Sequence, residues 1–282
     1  MKHNHSVRFR LIVELAVTLI YAIIITLFFK TFLFDPFHVP SSSMNPTLIA
    51  GDRIFVSKYD YGYSRFSMPF RLAPIKSRIL TLEKPKRGDI VVFVLPQKQD
   101  TFYVKRIIGL PGDVISITSN TPIVNGEKFK QKFIQQAVDE DGNKISPVLL
   151  EYEETNSDDR SYNIYKSAEA NSKANVPAFT VPEGKYFMMG DNRDNSLDSR
   201  FETVGFIPYE NLIGPAKAIF FSAPYPPIQA IFMPWSIRYS RMFESVEPKQ
   251  NISVSLVNNP EDANEAKLEI MTGKVKLISE AL

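Results

Sequence analysis

The hydrophobic residues of the chain fall into one long run and many short ones. Positions 11–29 are apolar except for Glu14, Thr18 and Thr26. At ~1.5 Å rise per residue, a helix of this length crosses roughly the hydrocarbon core of a bilayer. A cleavable signal peptide would have a shorter apolar region followed by small residues, whereas Lys30 and further aromatic residues follow here. We therefore predict a retained transmembrane helix over 11–29.

Beyond residue 30 the apolar stretches are short and end in Gly, Pro or Asp turns. Such runs, rich in β-branched and aromatic residues, predict β-strands. Helical periodicity is not visible after residue 30, so we predict a mostly β fold behind the helix. The pair Asn125-Gly126 predicts a type I′ hairpin, and 97–100 a polar turn. The expected strands lie at 53–59, 90–95, 102–110, 114–118, 185–189 and 216–221, and residues 235–242 are expected to close the core.

The change in composition along the chain predicts how the β region is divided. Residues 130 to 176 are more polar than their surroundings, and the segment 124–180 around them is interpreted as an inserted second β subdomain. The expected divisions are an N-terminus at 1–10, the transmembrane helix at 11–29, a β core at 30–123 and 181–243, the insertion at 124–180, and a C-terminal tail at 244–282.

Composition and charge narrow the classes of function. The 282 residues carry a net charge of +2, no cysteine and three histidines. A near-neutral charge gives no support for a nucleic-acid partner, and without cysteine there is no thiol nucleophile or Cys-ligated zinc. Lys2, Arg8 and Arg10 precede the apolar run, and Lys30 alone follows it closely. The positive-inside rule then predicts a cytoplasmic N-terminus with everything after Lys30 outside.

The first candidate for chemistry is the serine- and proline-rich stretch 40–48. Its prolines predict an extended, non-helical backbone, and taken alone the stretch is typical of a linker. A serine nucleophile needs a base. His3 and His5 lie on the wrong side of the predicted membrane, and His38 is expected to face away from Ser43 on an extended chain. A Ser-His-Asp triad is therefore almost excluded. The shortage of His and Cys also disfavours a metal-dependent hydrolase, with an all-carboxylate site left open. Serine with a lysine base remains.

A lysine acts as a base only when it is neutral, which requires burial or a nearby cation. Lys105, Lys185 and Lys217 lie inside predicted strands. Lys105 shares a strand face with Tyr103 and Ile107, which favours burial, although a lysine at a strand edge also reaches solvent readily. The pattern does not choose between Lys105 and Lys217.

The polar run 190–200 is the second unusual segment, with alternating acids and arginines. A turn held by its own side chains is one interpretation, and an ion-pair network bracing a site is the other. A calcium loop is excluded because Arg193 or Ser199 would stand where a ligand or the turn glycine belongs. Ser196 is placed to orient a neighbouring lysine. No metal or cofactor is predicted.

Four blocks of this sequence together resemble the bacterial type I signal peptidases (leader peptidases), which are membrane-anchored proteases with a Ser-Lys dyad. The resemblance covers 30–123 and 181–243 well, the insertion poorly and the tail hardly at all. It departs from the family in having a single predicted anchor, where some members have two, and an extra tail. The blocks are Pro40 to Leu48, Gly51-Asp52-Arg53, Tyr103 to Arg106 with Gly109 to Asp113, and Gly190 to Arg200.

The resemblance implies a role for each site residue. Ser43, directly before Met44, is implied to be the nucleophile and Lys105 its general base. Ser41 and the Ser43 backbone N–H are implied to form the oxyanion hole. Ser196 is implied to hydrogen-bond the lysine.

A supporting ion pair of Asp198 and Arg200 completes the implied site. The implied enzyme is a membrane-bound serine endopeptidase that acts through an acyl-enzyme and cuts exported preproteins after a small-x-small motif. It is a single-pass protein of the bacterial inner membrane with its catalytic domain outside, and its partners are preproteins and the lipid bilayer. Two alternatives stay open: a catalytically silent, membrane-anchored β-domain, and a self-cleaving repressor-type protease, although the latter carries a DNA-binding domain that is absent here.

Overall fold

The computed structural model describes residues 2–68, 78–138, 148–168 and 174–250. The described residues up to Lys249 belong to one compact unit. Most of the predicted tail, 251–282, lies outside the described residues. The predicted division into core and insertion is not tested by these features and stays a prediction.

Helix α1 (Lys2–Phe28) passes without a break into a π-helical turn, Phe29–Leu33. Within the described residues, the stretch Phe9–Leu33 is the one helix long and apolar enough to cross a membrane. Its large side chains from Phe9 to Phe32 are exposed. An apolar surface of this extent, uncovered by protein, is what the predicted transmembrane helix requires.

Fifteen strands follow within the described residues, and the mostly β fold predicted from the sequence is confirmed. Their bounds are β1 Phe34–His38, β2 Asp52–Ser57, β3 Ile90–Leu95, β4 Lys98–Gly109, β5 Val114–Thr118, β6 Thr121–Val124, β7 Glu127–Lys128, β8 Lys130–Gln136, β9 Leu149–Thr155, β10 Arg160–Ser167, β11 Val176–Thr180, β12 Lys185–Met189, β13 Ile207–Pro208, β14 Leu212–Ser222 and β15 Lys249–Gln250. A short helix, α2 (Pro227–Phe232), lies between β14 and β15.

The described strands form three sheets. The largest has the order β1-β2-β14-β3-β4-β12-β13, and the two smaller sheets have the orders β15-β10-β9-β8 and β11-β5-β6-β7. The strand β3 is buried along its whole length. It lies at the centre of the large sheet, between β14 and β4, so both of its faces pack against apolar side chains.

The strand predictions are accurate where turns are unambiguous. The strands predicted at 90–95, 114–118 and 185–189 have the observed bounds, and the hairpin at Asn125-Gly126 joins β6 to β7 with both residues at positive φ. The predicted turn at 97–100 is wrong, because β4 already begins at Lys98 and pairs with Leu95. Residues 235–242 do not close the core either, since Trp235 is 79% exposed.

The serine- and proline-rich stretch is not extended. Residues 41–47 form successive bends and turns, in which Asn45 N donates to Ser42 O and Leu48 N to Met44 O. Proline fixes φ near −65°, a value that suits turns as well as extended chain, so the prolines alone did not decide between them. Met44 and Leu48 are fully buried and fasten the turns to the core.

Candidate active site

Three segments meet at the candidate site: the turns that follow β1, the strand β4, and the loop that follows β12. The loop holds the turns through two asparagines. Asn192 donates from its backbone N to Ser43 O (3.1 Å) and from Nδ2 to Ser42 O (3.2 Å). Asn195 Nδ2 donates to Ser42 Oγ (3.1 Å). The backbone around Ser43 is therefore fixed from the side of the loop.

Lys105, on β4, reaches Ser43 directly. Its Nζ lies 2.6 Å from Ser43 Oγ and donates a second hydrogen bond to the backbone carbonyl of Val104 at 3.0 Å. The lysine is only 4% exposed. These contacts fix the amine beside one particular hydroxyl of the three-serine stretch.

Burial lowers the pKa of Lys105 from its usual 10.5 to about 8. Taking the ammonium out of water is the largest cause, because a charged amine loses more hydration than a neutral one. Asp198 and Asp191 oppose the shift and Arg200 adds to it. A neutral amine is thus accessible near physiological pH.

The other two lysine candidates have different surroundings. Lys217 forms ion pairs with Asp60 (2.8 Å) and Glu247 (2.7 Å). Both carboxylates raise its pKa above the usual value, despite partial burial. Lys185 is exposed. The choice that the sequence pattern left open is therefore made by contacts with distant residues, and only Lys105 of the three is buried beside a serine.

A cleft of about 470 Å³ opens beside the two residues. Ser41 Oγ lies at its edge, 3.3 Å from Ser43 Oγ. His38, expected to face away from Ser43, also contributes to the lining of this cleft, and the chain turns after β1 instead of continuing as a strand. His38 is exposed and its Nδ1 lies 3.3 Å from Arg53 Nη1. The lining residues are Phe37 to Ser43, Ile54, Val92, Thr101 to Lys105, Asn195 and Leu197.

Ser196 lies close to the site but makes no hydrogen bond within the described structure. Its Oγ is buried and unpartnered, so the expected bond to Lys105 is not formed. Gly190 explains how the segments approach so closely. A Cβ added there would lie 2.2 Å from Ser196 Oγ and 2.5 Å from Ser43 O. Only glycine leaves room for both.

Asp198 and Arg200 form the ion pair expected of them. Both side chains are fully buried, with Arg200 Nε 2.8 Å from Asp198 Oδ1 and Nη2 2.9 Å from Oδ2. Asp198 also accepts from Gly190 N at 2.9 Å, and Arg200 Nη2 donates to Arg193 O at 2.6 Å. The pair thereby fastens both ends of the loop.

A second buried pair was missed from the sequence. Arg106, the neighbour of Lys105, donates to Asp191 from Nε (2.7 Å) and Nη2 (2.5 Å). Asp191 also accepts from Thr47 Oγ1 at 2.6 Å, and the guanidinium lies 3.8 Å from the Tyr162 ring centroid. Side chains alternate along β4, so Arg106 lies on the face opposite Lys105. This alternation is the one sequence pattern that indicates a separate role for Arg106.

A third buried pair extends this bracing into the smaller sheet β15-β10-β9-β8. Arg193 donates to both carboxylate oxygens of Glu154 on β9. Nothing in the sequence indicated Glu154 as its partner. Within the described residues, no cluster of His, Asp or Glu is arranged to hold a metal ion.

The chain is similar to known proteins over most of its length. A family model described as signal peptidase, peptidase S26, matches residues 12–221. A signal peptidase I of Rickettsia typhi is 39% identical over 245 residues, covering 80% of this chain and 90% of the relative. A signal peptidase I of Rickettsia akari is 42% identical over 210 residues, covering 72% and 77%.

A solved structure is also similar in sequence. The crystal structure of a signal peptidase I from Enterococcus faecalis is 27% identical and covers 47% of this chain and 97% of that chain, with a TM-score of 0.28. At that score the superposition does not bear on the fold, which rests on the strands described above.

Proposed function

The chain belongs to the signal peptidase family S26, and we propose that it cleaves signal peptides by serine chemistry with Ser43 as nucleophile and Lys105 as general base. Family membership makes it a peptidase of signal peptides. The dyad is supported by one observation above all: a lysine 4% exposed, with a lowered pKa, lies 2.6 Å from a serine hydroxyl. A lysine so placed meets the requirements for activating serine.

In the proposed first step, the neutral amine of Lys105 takes the proton of Ser43 as Oγ attacks the scissile carbonyl. With a pKa of about 8, roughly one molecule in ten has the neutral amine at pH 7. The new ammonium gives its proton to the leaving amine, and the peptide remains as an ester on Ser43. The amine then deprotonates water, which attacks the ester and releases the enzyme.

Charge on the tetrahedral oxygen needs donors that are already in place. We assign this role to the Ser43 backbone N–H and Ser41 Oγ, whose hydroxyl lies 3.3 Å from Ser43 Oγ. Ser196, Asp198 and Arg200 are assigned to support. The ion pair holds the loop that fixes Ser43, and the unpartnered Ser196 hydroxyl is available to the amine once it rotates.

Specificity is proposed to come from the cleft. Large side chains line it, among them Phe37, Phe102 and Leu197. A substrate laid along the cleft in extended form would point alternate side chains at this wall, so bulky residues would clash at every second position. Such a wall supports the proposal that cleavage follows a small-x-small motif.

The topology proposed is a single pass through the bacterial inner membrane. The helix stretch Phe9–Leu33 spans the bilayer, with the basic residues Lys2, Arg8 and Arg10 in the cytoplasm. The strand β1 begins directly at Phe34. Ser43 is then at most ~35 Å of extended chain from the membrane, within reach of a cleavage site that emerges on the outer side.

Cleavage of a detergent-solubilised preprotein tests the dyad. We expect Ser43→Ala and Lys105→Met to abolish cleavage while keeping the far-UV circular dichroism of the wild type. The matched controls are Ser42→Ala, the adjacent serine, and Lys217→Met, a strand lysine paired to carboxylates; both should keep most activity. A wild-type rate from Lys105→Met would refute the assignment. A protein that binds preproteins but never cuts them would favour the silent binding domain.

A further inference from the structure

The connection between helix α1 and the large sheet contains a buried lysine that the proposed chemistry does not use. Lys58, the residue after β2, is 1% exposed. Its Nζ donates to the carbonyl oxygen of Lys30 at 2.7 Å and lies 3.1 Å from Asp35 Oδ2. One end of this contact belongs to the helix and the other to β1. The ammonium therefore links the membrane helix to the sheet.

The last carbonyls of a helix have no partner within the helix itself. Here two residues outside the helix, Lys58 and Tyr63, supply three hydrogen-bond donors. Besides Lys58 Nζ at Lys30 O, the backbone N of Lys58 donates to Leu33 O at 3.0 Å, and Tyr63 OH donates to Phe32 O at 2.7 Å. The helix end is thus capped by two residues of the β core, Lys58 and Tyr63.

Aromatic rings reinforce the same connection. Phe32 and Tyr63 meet edge to face with ring centroids 6.0 Å apart, and Phe34 and Tyr59 do so at 5.7 Å. We call the contacts of Lys58 and Tyr63 with residues 30–35 the joint. Along the described helix, the large apolar side chains from Phe9 to Phe29 are exposed, so the joint is where protein holds the helix.

We propose that the joint fixes the angle between the membrane helix and the β core, with Lys58 as a positioning residue that sets the height of Ser43 above the bilayer. This inference rests on the proposed function for its consequence. Burying an ammonium is costly unless it is paired, and burial does lower the pKa of Lys58 while Asp35 raises it. A surface lysine would avoid that cost but would leave the helix carbonyls without this donor.

The size of the effect depends on the distance between the joint and Ser43. Ser43 lies ten residues beyond Leu33, at most ~33 Å along the chain, so a 20° change at the joint moves it by at most about 12 Å. That upper limit equals about three to four residues of an extended substrate. A preprotein held in the bilayer by its apolar segment cannot follow such a shift, whereas a free peptide can.

The first experiment measures the angle directly. The chain has no cysteine, so Leu19→Cys and Val114→Cys, both at exposed positions, give two unique spin-label sites on helix and core. In phosphatidylcholine–phosphatidylglycerol vesicles, double electron–electron resonance should give a narrow distance distribution. Lys58→Met should broaden it at least twofold, while the control Lys217→Met should not. An unchanged width in Lys58→Met overturns the proposal.

The second experiment measures the consequence. Lys58→Met should lower kcat/KM about tenfold for a preprotein embedded in vesicles and leave cleavage of a short soluble peptide in detergent unchanged. An equal loss on both substrates would indicate a merely structural role and refute the proposal. If Lys58→Met does not fold, Tyr63→Phe replaces it, with a smaller effect in the same direction expected. If the wild type cuts neither substrate, the proposed function fails, and the spin-label result still decides the joint.

Discussion

The burial of Lys105 beside Ser43 predicts how the stability of the protein changes with pH, as well as its activity. The folded-state pKa of Lys105, about 8, lies below its unfolded value of 10.5. Above pH 10.5 the amine is neutral in both states and costs nothing. As the pH falls, the unfolded chain takes up the proton first, so the folded state loses stability until the pH passes below 8. Lys105→Met removes this penalty and keeps most of the side-chain volume.

The magnitude follows from the two pKa values. The full penalty, ~3 kcal/mol, applies below pH 8, and roughly 1.4 kcal/mol remains at pH 9.5. The stability of Lys105→Met relative to the wild type should therefore rise by about 2 kcal/mol between pH 9.5 and pH 6.5. The substitution also removes the hydrogen bonds to Ser43 and Val104, which shifts the difference in stability between variant and wild type at every pH. The change of that difference with pH therefore reports the charge of the lysine.

Urea unfolding of the full chain in detergent, followed by far-UV circular dichroism, measures the difference at each pH. Lys217→Met is the control, because Lys217 stays protonated over this range both in the unfolded state, at the usual lysine pKa, and in the folded state, where its pKa is raised. Its relative stability should stay constant between pH 6.5 and pH 9.5. A constant difference for Lys105→Met as well would refute the view that burial has depressed its pKa.

Three further substitutions test the surrounding geometry. Gly190→Ala would put a Cβ 2.5 Å from Ser43 O, so preprotein cleavage should fall at least a hundredfold, and an unchanged rate would show that the segments are not tightly packed. Ser41→Ala should lower kcat by about 10²–10³ with little change in KM, the loss typical of one oxyanion donor; a rise in KM alone would place Ser41 in substrate binding. Asp191→Asn leaves the fully buried Arg106 without its carboxylate and should cost ~3–5 kcal/mol in urea unfolding, whereas a loss under 1 kcal/mol would show that the pair is dispensable.

Local sequence patterns predicted six of the strands, three of them with the observed bounds. The strand β3 was readable because a continuous apolar run stands between a Gly-Asp turn and Pro96. Its neighbour β4 was placed correctly at its C-terminal end, where Lys105 lies. Its first residues, Lys98 to Asp100, are polar and form a strand only because they pair across the hairpin.

The turns around Ser43 were not predictable from local pattern. Proline restricts φ but leaves ψ open, so the pattern of prolines predicts an extended stretch equally well. What decides the turns is the burial of Met44 and Leu48 in the core and the hydrogen bonds from Asn192, which is distant in sequence. Because these contacts join segments that are distant in the sequence, a short stretch of sequence cannot predict them.

The same dependence on distant contacts explains why the sequence pattern does not distinguish Lys105 from Lys217. Lys105 and Lys217 have similar local patterns, and their different charge states come from partners elsewhere in the chain. Asp60 and Glu247 keep Lys217 charged, whereas Lys105 meets a serine hydroxyl. The resemblance to signal peptidases selects Lys105 without reference to these contacts. It also implied a bond from Ser196 to this lysine, which the structure does not contain.

The pH dependence of kcat/KM tests the central claim most directly. Because Lys105 must be neutral to accept the proton of Ser43, cleavage of a soluble signal-peptide fragment should rise about tenfold per pH unit up to an apparent pKa near 8 and then level off. Substrate and detergent are held constant, and wild-type circular dichroism must not change over the range. A rate that stays flat between pH 5 and pH 9 would contradict a lysine base.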